Sequence, residues 1–283
     1  SELPRRYHRW KWQILLAFSG FYLFVYLGRF NIWPAAPLIK QQLQLSHIEI
    51  GLITGALLWG FGIGDLVHGR LSESYSMRLW VLLGAILTTI CNWITSFGTS
   101  TLTLLIPSGI NGFVNAACWS PGIGLLSQWW PRRERGKAMG IYGIASGGAM
   151  LVMWLITGWV VDEYGWRAGF RYPPLVLPVL AMAFYLLSRD KPSEIGLPNY
   201  LEEDALSSDA EAASQSLVGA MAPYKQLLSN YQFQLACHVK GLENVVRYGL
   251  TTWIPIYYFE QAGLDIKSTI KLINFFCYSS KKF

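Results

Sequence analysis

Apolar stretches of roughly 20 residues, cut apart by charged linkers, constrain this chain more than any other feature. Seven are legible, at approximately 12–36, 48–68, 79–97, 101–127, 138–161, 170–188 and 230–258, and an eighth begins near 266. Such a length matches the hydrocarbon thickness of a bilayer, where every backbone N–H and C=O must be satisfied within the segment. The expectation is an all-α integral membrane protein. Only 14% of residues are charged and 52% are hydrophobic, whereas a soluble domain carries about 25% charged residues. The 13 Trp, 15 Tyr and 14 Phe suit aromatic belts at two membrane interfaces.

Charge collects between the apolar stretches. With the N-terminus inside, the linkers on that side hold thirteen Lys and Arg and those on the other side five. This bias follows the positive-inside rule and predicts a cytoplasmic N-terminus in the inner (plasma) membrane. The net charge of +6 forms no solvent-facing basic surface, so no nucleic-acid partner is expected. The four cysteines are scattered through apolar stretches without a CxxC pair, and neither a metal site nor a cofactor is expected. The basic segment Ser1 to Lys11 is not followed by a cleavable leader pattern. The longest polar break, from Ser188 to Asn230, divides the chain into a six-helix bundle at 1–188, a cytosolic linker at 189–229, and the start of a second bundle at 230–283.

Arg29 stands within the apolar run from Ile14 to Leu38. A guanidinium keeps its proton, and one at mid-bilayer costs at least about 2.5–3.5 kcal/mol. Such a residue is expected to face a wet cavity and hold an anion; the alternative is a structural pair with Asp65. Tyr22 and Tyr26 share its helix face at spacings of four and three. Arg247 has matching surroundings: an aromatic follows each arginine (Phe30, Tyr248), and a proline stands eight residues on (Pro37, Pro255). Span seven therefore reads as a repeat of span one, and repeated halves meet at a midplane site. Lys240, Glu243 and Arg247 share one face there, with Glu243 able to pair with either cation, and Asn244 stands where Tyr26 stands relative to Arg29. Two arginines on one cavity can hold a tetrahedral oxyanion through paired hydrogen bonds; a carboxylate also fits. Glycines four apart (Gly51/Gly55, Gly60/Gly64, Gly136/Gly140, Gly143/Gly147) predict close helix packing. No hydrolase, zinc-protease or P-loop motif occurs, so an enzyme is not expected.

Gly69-Arg70-Leu71-Ser72-Glu73 with Arg78 resembles the loop between spans two and three of the major facilitator superfamily, with Glu73 in place of the usual Asp and Ser74 in place of a basic residue. Tyr22 to Asn31, Trp119-Ser120-Pro121 with Trp129-Trp130 to Arg135-Gly136, Arg189-Asp190-Lys191-Pro192 through Pro198, and Arg247-Tyr248-Gly249 with Trp253 and Pro255 are similar to the organophosphate:phosphate antiporters. The resemblance implies a monomeric secondary transporter that exchanges a sugar or glycerol phosphate for inorganic phosphate by alternating access. It implies that Arg29 and Arg247 bind the phosphate, and that Tyr22, Tyr26 and Trp119 line the cavity. A family histidine falls at Ser146 and a tyrosine at Asn244, so the organic group stays open. The superfamily has twelve spans, and this sequence breaks off within the eighth, which reads as C-terminal truncation. A membrane sensor of sugar phosphates and an inactive fragment are the alternative readings.

Overall fold

A computed structural model describes residues 2–72, 75–131, 133–197 and 229–261, with side chains from residue 5 onward. Glu73, Ser74, Arg132, most of the expected linker and the expected eighth span lie outside the described residues. Among the described residues ten α-helices run in chain order: α1 (Glu2–Arg29), α2 (Ile32–Leu43), α3 (His47–Leu71), α4 (Met77–Thr95), α5 (Thr101–Ala116), α6 (Ser120–Trp129), α7 (Arg135–Tyr164), α8 (Trp166–Arg171), α9 (Val176–Leu187) and α10 (Tyr231–Glu260). Several have their starts written in the sequence. Ser46 and Glu49 form a capping box on α3, Ser100 and Thr103 one on α5, Ser76 caps α4, and Asn230 caps α10.

Among the described residues six segments are long and apolar enough to cross a bilayer: Arg5–Leu43, His47–Leu71, Met77–Thr95, Thr101–Trp129, Arg135–Tyr164 and Trp166–Leu187. The helix expected at 230–258 is present as α10, but its polar residues keep it out of that set. Large apolar side chains such as Trp59, Leu66 and Ile144 point outward, as a lipid-facing surface requires.

Three of the six spans are not single helices. Span one breaks after Arg29, because Pro34 has no N–H to give the Phe30 carbonyl and its ring crowds that carbonyl. The chain answers with a tighter turn, Trp33 N–H donating to Phe30 O at 3.1 Å. Span four breaks at 117–119 ahead of Pro121, again through i→i−3 bonds. Span six is interrupted at Pro173 and Pro174. A proline stands at or shortly after each of these breaks, while Pro37, Pro107 and Pro255 sit inside continuous helices.

The closest packing joins α3 to α5. A Cβ on Gly60 would lie 2.1 Å from the Gly109 carbonyl oxygen, and one on Gly112 would lie 2.0 Å from that of Leu57. Only glycine allows this backbone approach. In α7, by contrast, Gly136, Gly140 and Gly143 face open space.

Residues 189–197, read from sequence as the start of the linker, fold back on the bundle. Asp190 accepts from the Arg78 backbone N–H at 2.9 Å and from the Ser76 hydroxyl, placing a carboxylate at the N-terminus of α4. Trp129 Nε1 donates to Arg189 O at 2.8 Å. Helix α10 lies against α2. Phe30 and Tyr248, the aromatic residues that follow the two arginines, meet there at 5.8 Å between ring centres. At the far end Glu260 joins Lys40 of α2 and His47 of α3.

Candidate substrate-binding site

Arg29 ends α1, and that end is built with care. Gly28 O accepts from Asn92 Nδ2 at 2.7 Å and from Asn111 Nδ2 at 2.8 Å. Asn31, on the break itself, donates to Asn92 Oδ1 at 2.6 Å. These four residues tie the broken segment to α4 and α5 inside a dry core, where each paired carbonyl is worth far more than one in water. Glycine at position 28 suits this tight packing. A Cβ there would sit 2.6 Å from both Thr88 Cγ2 and Leu177 Cδ1. The helix C-terminus also favours a cation.

The Arg29 side chain is only 4% exposed. Its guanidinium lies between three aromatic faces, Tyr26 at 4.5 Å, Phe30 at 4.5 Å and Phe61 of α3 at 4.3 Å. The Tyr22 and Tyr26 side chains interact with it. Nε and Nη1 nevertheless have no partner of hydrogen-bond geometry, and Arg29 forms no salt bridge among the described residues. Leaving such donors buried and unmet costs about 1–3 kcal/mol each, more when the group is charged. The structural pair with Asp65 is not formed; the Asp65 carboxylate accepts instead from Ser120.

Trp119, on the break of span four, completes an aromatic wall. Its ring lies 5.4 Å from that of Tyr22 and 5.2 Å from that of Tyr142, while Tyr22 and Tyr142 are 5.0 Å apart. Tyr22, Tyr26, Arg29 and Trp119 are therefore brought together as the sequence analysis expected. Tyr142 and Phe61 were missed: Tyr142 stands in no spacing pattern with a charge, and Phe61, four residues before Asp65, was read only as part of Gly60–Gly64. The four buried asparagines Asn31, Asn92, Asn111 and Asn115 were legible as polar residues inside apolar runs, which is the signal that could have found the support.

The residues of α10 are placed differently. Arg247 is exposed, stands 5.6 Å from the ring of its neighbour Tyr248, and acts electrostatically on Tyr26. Lys240 and Glu243 pair with each other at 2.7 Å on an exposed face, so the structure does not bring them to Arg29. Asn244 lines a separate cavity of about 320 Å³ between α3 and α10, with Gly51, Thr54, Gly55 and Tyr248.

The sequence from residue 18 to residue 279 matches the model of the Major Facilitator Superfamily. The chain belongs to this superfamily. A Major Facilitator neighbour shares the fold: the bacterial homolog of the human lysosomal transporter Spinster, inward-facing and unoccupied, superposes with a TM-score of 0.74 at 16% identity, over 93% of this chain and 58% of that one. Among curated relatives, the "Membrane sensor protein UhpC" of Salmonella typhimurium is 29% identical over 97% of this chain and 63% of its own length. The glycerol-3-phosphate transporter of Bacillus subtilis is 25% identical over 94% of this chain and 61% of its own length. The phosphoglycerate transporter protein of Salmonella typhimurium is 26% identical over 91% and 58%. This facilitator chain spans about three-fifths of the length of the curated relatives it matches. Those relatives are carriers and a sensor rather than enzymes.

Proposed function

We propose that the protein is a secondary membrane transporter that exchanges an organophosphate ester for inorganic phosphate by alternating access. The observation that carries this is Arg29, buried among aromatic faces with two guanidinium donors unmet. A phosphate would meet Nη1 together with Nη2, or Nε together with Nη2, through a pair of parallel charge-assisted hydrogen bonds. Arg247 would clamp the same phosphate from the second half, and Tyr22, Tyr26 and Trp119 would line the cavity. Lys240, Glu243 and Asn244 would enter only if α10 turns further towards it. In this reading residues 1–188 are the N-terminal bundle, 189–229 the linker, and 230–283 the start of the second bundle, with the N-terminus cytoplasmic in the inner (plasma) membrane and the protein monomeric. Binding would relax the repulsion between two cations and so favour closure, which makes exchange obligatory.

Counterflow of labelled phosphate in proteoliposomes tests the proposal. Exchange is expected with a phosphate ester in trans and not with an empty lumen. Undiminished exchange by Arg29→Lys would sink the clamp, since an ammonium cannot make the two-pronged contact. The sensor relative supports a second reading, in which the protein binds a sugar phosphate without moving it. Binding without counterflow would select it.

A further inference from the structure

We infer that Asp65 is a second charged anchor of the Arg29 site, and that the site takes phosphate esters whose organic part carries an ammonium group. The inference rests on the phosphate reading above and deepens it by naming the substrate class.

Phe61, which covers the Arg29 guanidinium at 4.3 Å, fixes which face of α3 looks at the site. Asp65 follows four residues later, one turn along the same face. It acts electrostatically on Arg29, yet the two form no salt bridge. Ser120, at the start of α6, donates its hydroxyl to Asp65 Oδ1, and Oδ2 has no donor among the described residues. Ser120 directly follows Trp119, whose ring meets Tyr22. Asp65 thus belongs to the wall that holds Arg29, Phe61 and Trp119.

No cation among the described residues forms a salt bridge with it. His68, the nearest titratable neighbour on α3, is committed elsewhere: Trp80 Nε1 lies 3.0 Å from its Nδ1, and its Nε2 lies 3.0 Å from the Phe113 carbonyl. An indole N–H can only donate and a carbonyl can only accept, so the imidazole bridges them as a neutral ring with its proton on Nε2. A carboxylate in a low-dielectric wall is costly unless paired. A phosphate dianion arriving at Arg29 makes matters worse, because it sets a like charge beside Asp65. An ester that also carries an ammonium resolves both problems: the phosphate meets Arg29, and the ammonium meets Asp65 Oδ2. A polyol phosphate resolves only the first.

The test is competition against labelled inorganic phosphate bound to the full chain in nanodiscs. Phosphoethanolamine and glycerol phosphate, two small phosphomonoesters, are the competitors. Phosphoethanolamine is expected to displace the label at least about 10-fold more effectively. Asp65→Asn is expected to bring the two within about 2-fold of each other, because the amide carries no charge for the ammonium to meet. The comparison is read first on the unmodified protein, so it does not depend on the variant folding. Bound phosphate displaced equally by both esters overturns this inference alone. Absence of phosphate binding overturns both this inference and the phosphate reading. If acidification from about pH 7.5 to about pH 5 strengthens both esters equally and neither is preferred at either pH, Asp65 is a proton site and the inference fails.

Discussion

Span one and span seven carry the same sequence signature and are built differently. Each has an arginine, then an aromatic residue, then a proline eight residues on. Span one breaks after its arginine and buries it; α10 runs unbroken through Arg247 and leaves it exposed. The break traces to one position. Five residues after Arg29 stands Pro34, and five after Arg247 stands Thr252. The extra proline ends α1 at the arginine, and the Asn31–Asn92–Gly28–Asn111 network fixes the exposed backbone groups. Arg29 is therefore held in place by its own bundle, and among the described residues Arg247 has no comparable support.

Exchanging each arginine for lysine measures that inequality most directly. Arg29→Lys is expected to weaken phosphate binding about 100-fold, since a rigid two-pronged donor is lost from a dry site. Arg247→Lys is expected to cost about 10-fold, because an exposed side chain must be ordered on binding. Equal losses in a binding titration would erase the distinction.

A second test removes the support and leaves the cation. Asn92→Leu is close to isosteric; it leaves the Asn31 amide only the Gly169 carbonyl, at 3.4 Å, and weakens the hold on Gly28. It is expected to cost about 2–3 kcal/mol in a detergent melting experiment, with phosphate affinity falling as well. The glycines beside the arginines give a third. Gly28→Ala meets Thr88 and Leu177 and is expected to cost about 1–2 kcal/mol. Gly249→Ala meets nothing within 4 Å and is expected to be neutral or slightly stabilising, as alanine favours a helix.

The smallest expected effect lies outside the site. The Lys11 ammonium, hydrogen-bonded to Glu134, holds that carboxyl below the usual glutamate range and ties α1 to the start of α7. A depressed carboxyl contributes stability above its unfolded value of about 4.3, and that contribution is lost as pH falls through the folded one. Glu134 is partly exposed, so the step is expected to be under about 1 kcal/mol. Melting between about pH 6 and pH 3 should show it in the unmodified protein and not in Glu134→Gln.

Much of this was legible in the sequence. The six spans, the helix at 231–260 and the cluster of Tyr22, Tyr26, Arg29 and Trp119 all correspond to features read from spacing or family resemblance. The docking of Arg189 to Leu197 on the bundle was not, because that stretch is polar by composition while its contacts are with distant residues of α4 and α6. Lys240 and Glu243 share a helix face with Arg247, but the pairing of the two on an exposed surface depends on which face of α10 meets α2.

The sequence by itself determined that this chain crosses a membrane, where its helices lie, and that two arginines sit in them with matching flanking residues. Apolar length, caps and prolines act over a few residues, so they can be read in order along the chain. Only the tertiary structure decided which arginine is buried and primed, and which side chains stand around it. Phe61, Tyr142, Asn92 and Asn111 reach the end of α1 from four other segments of the chain, and no local pattern encodes that meeting.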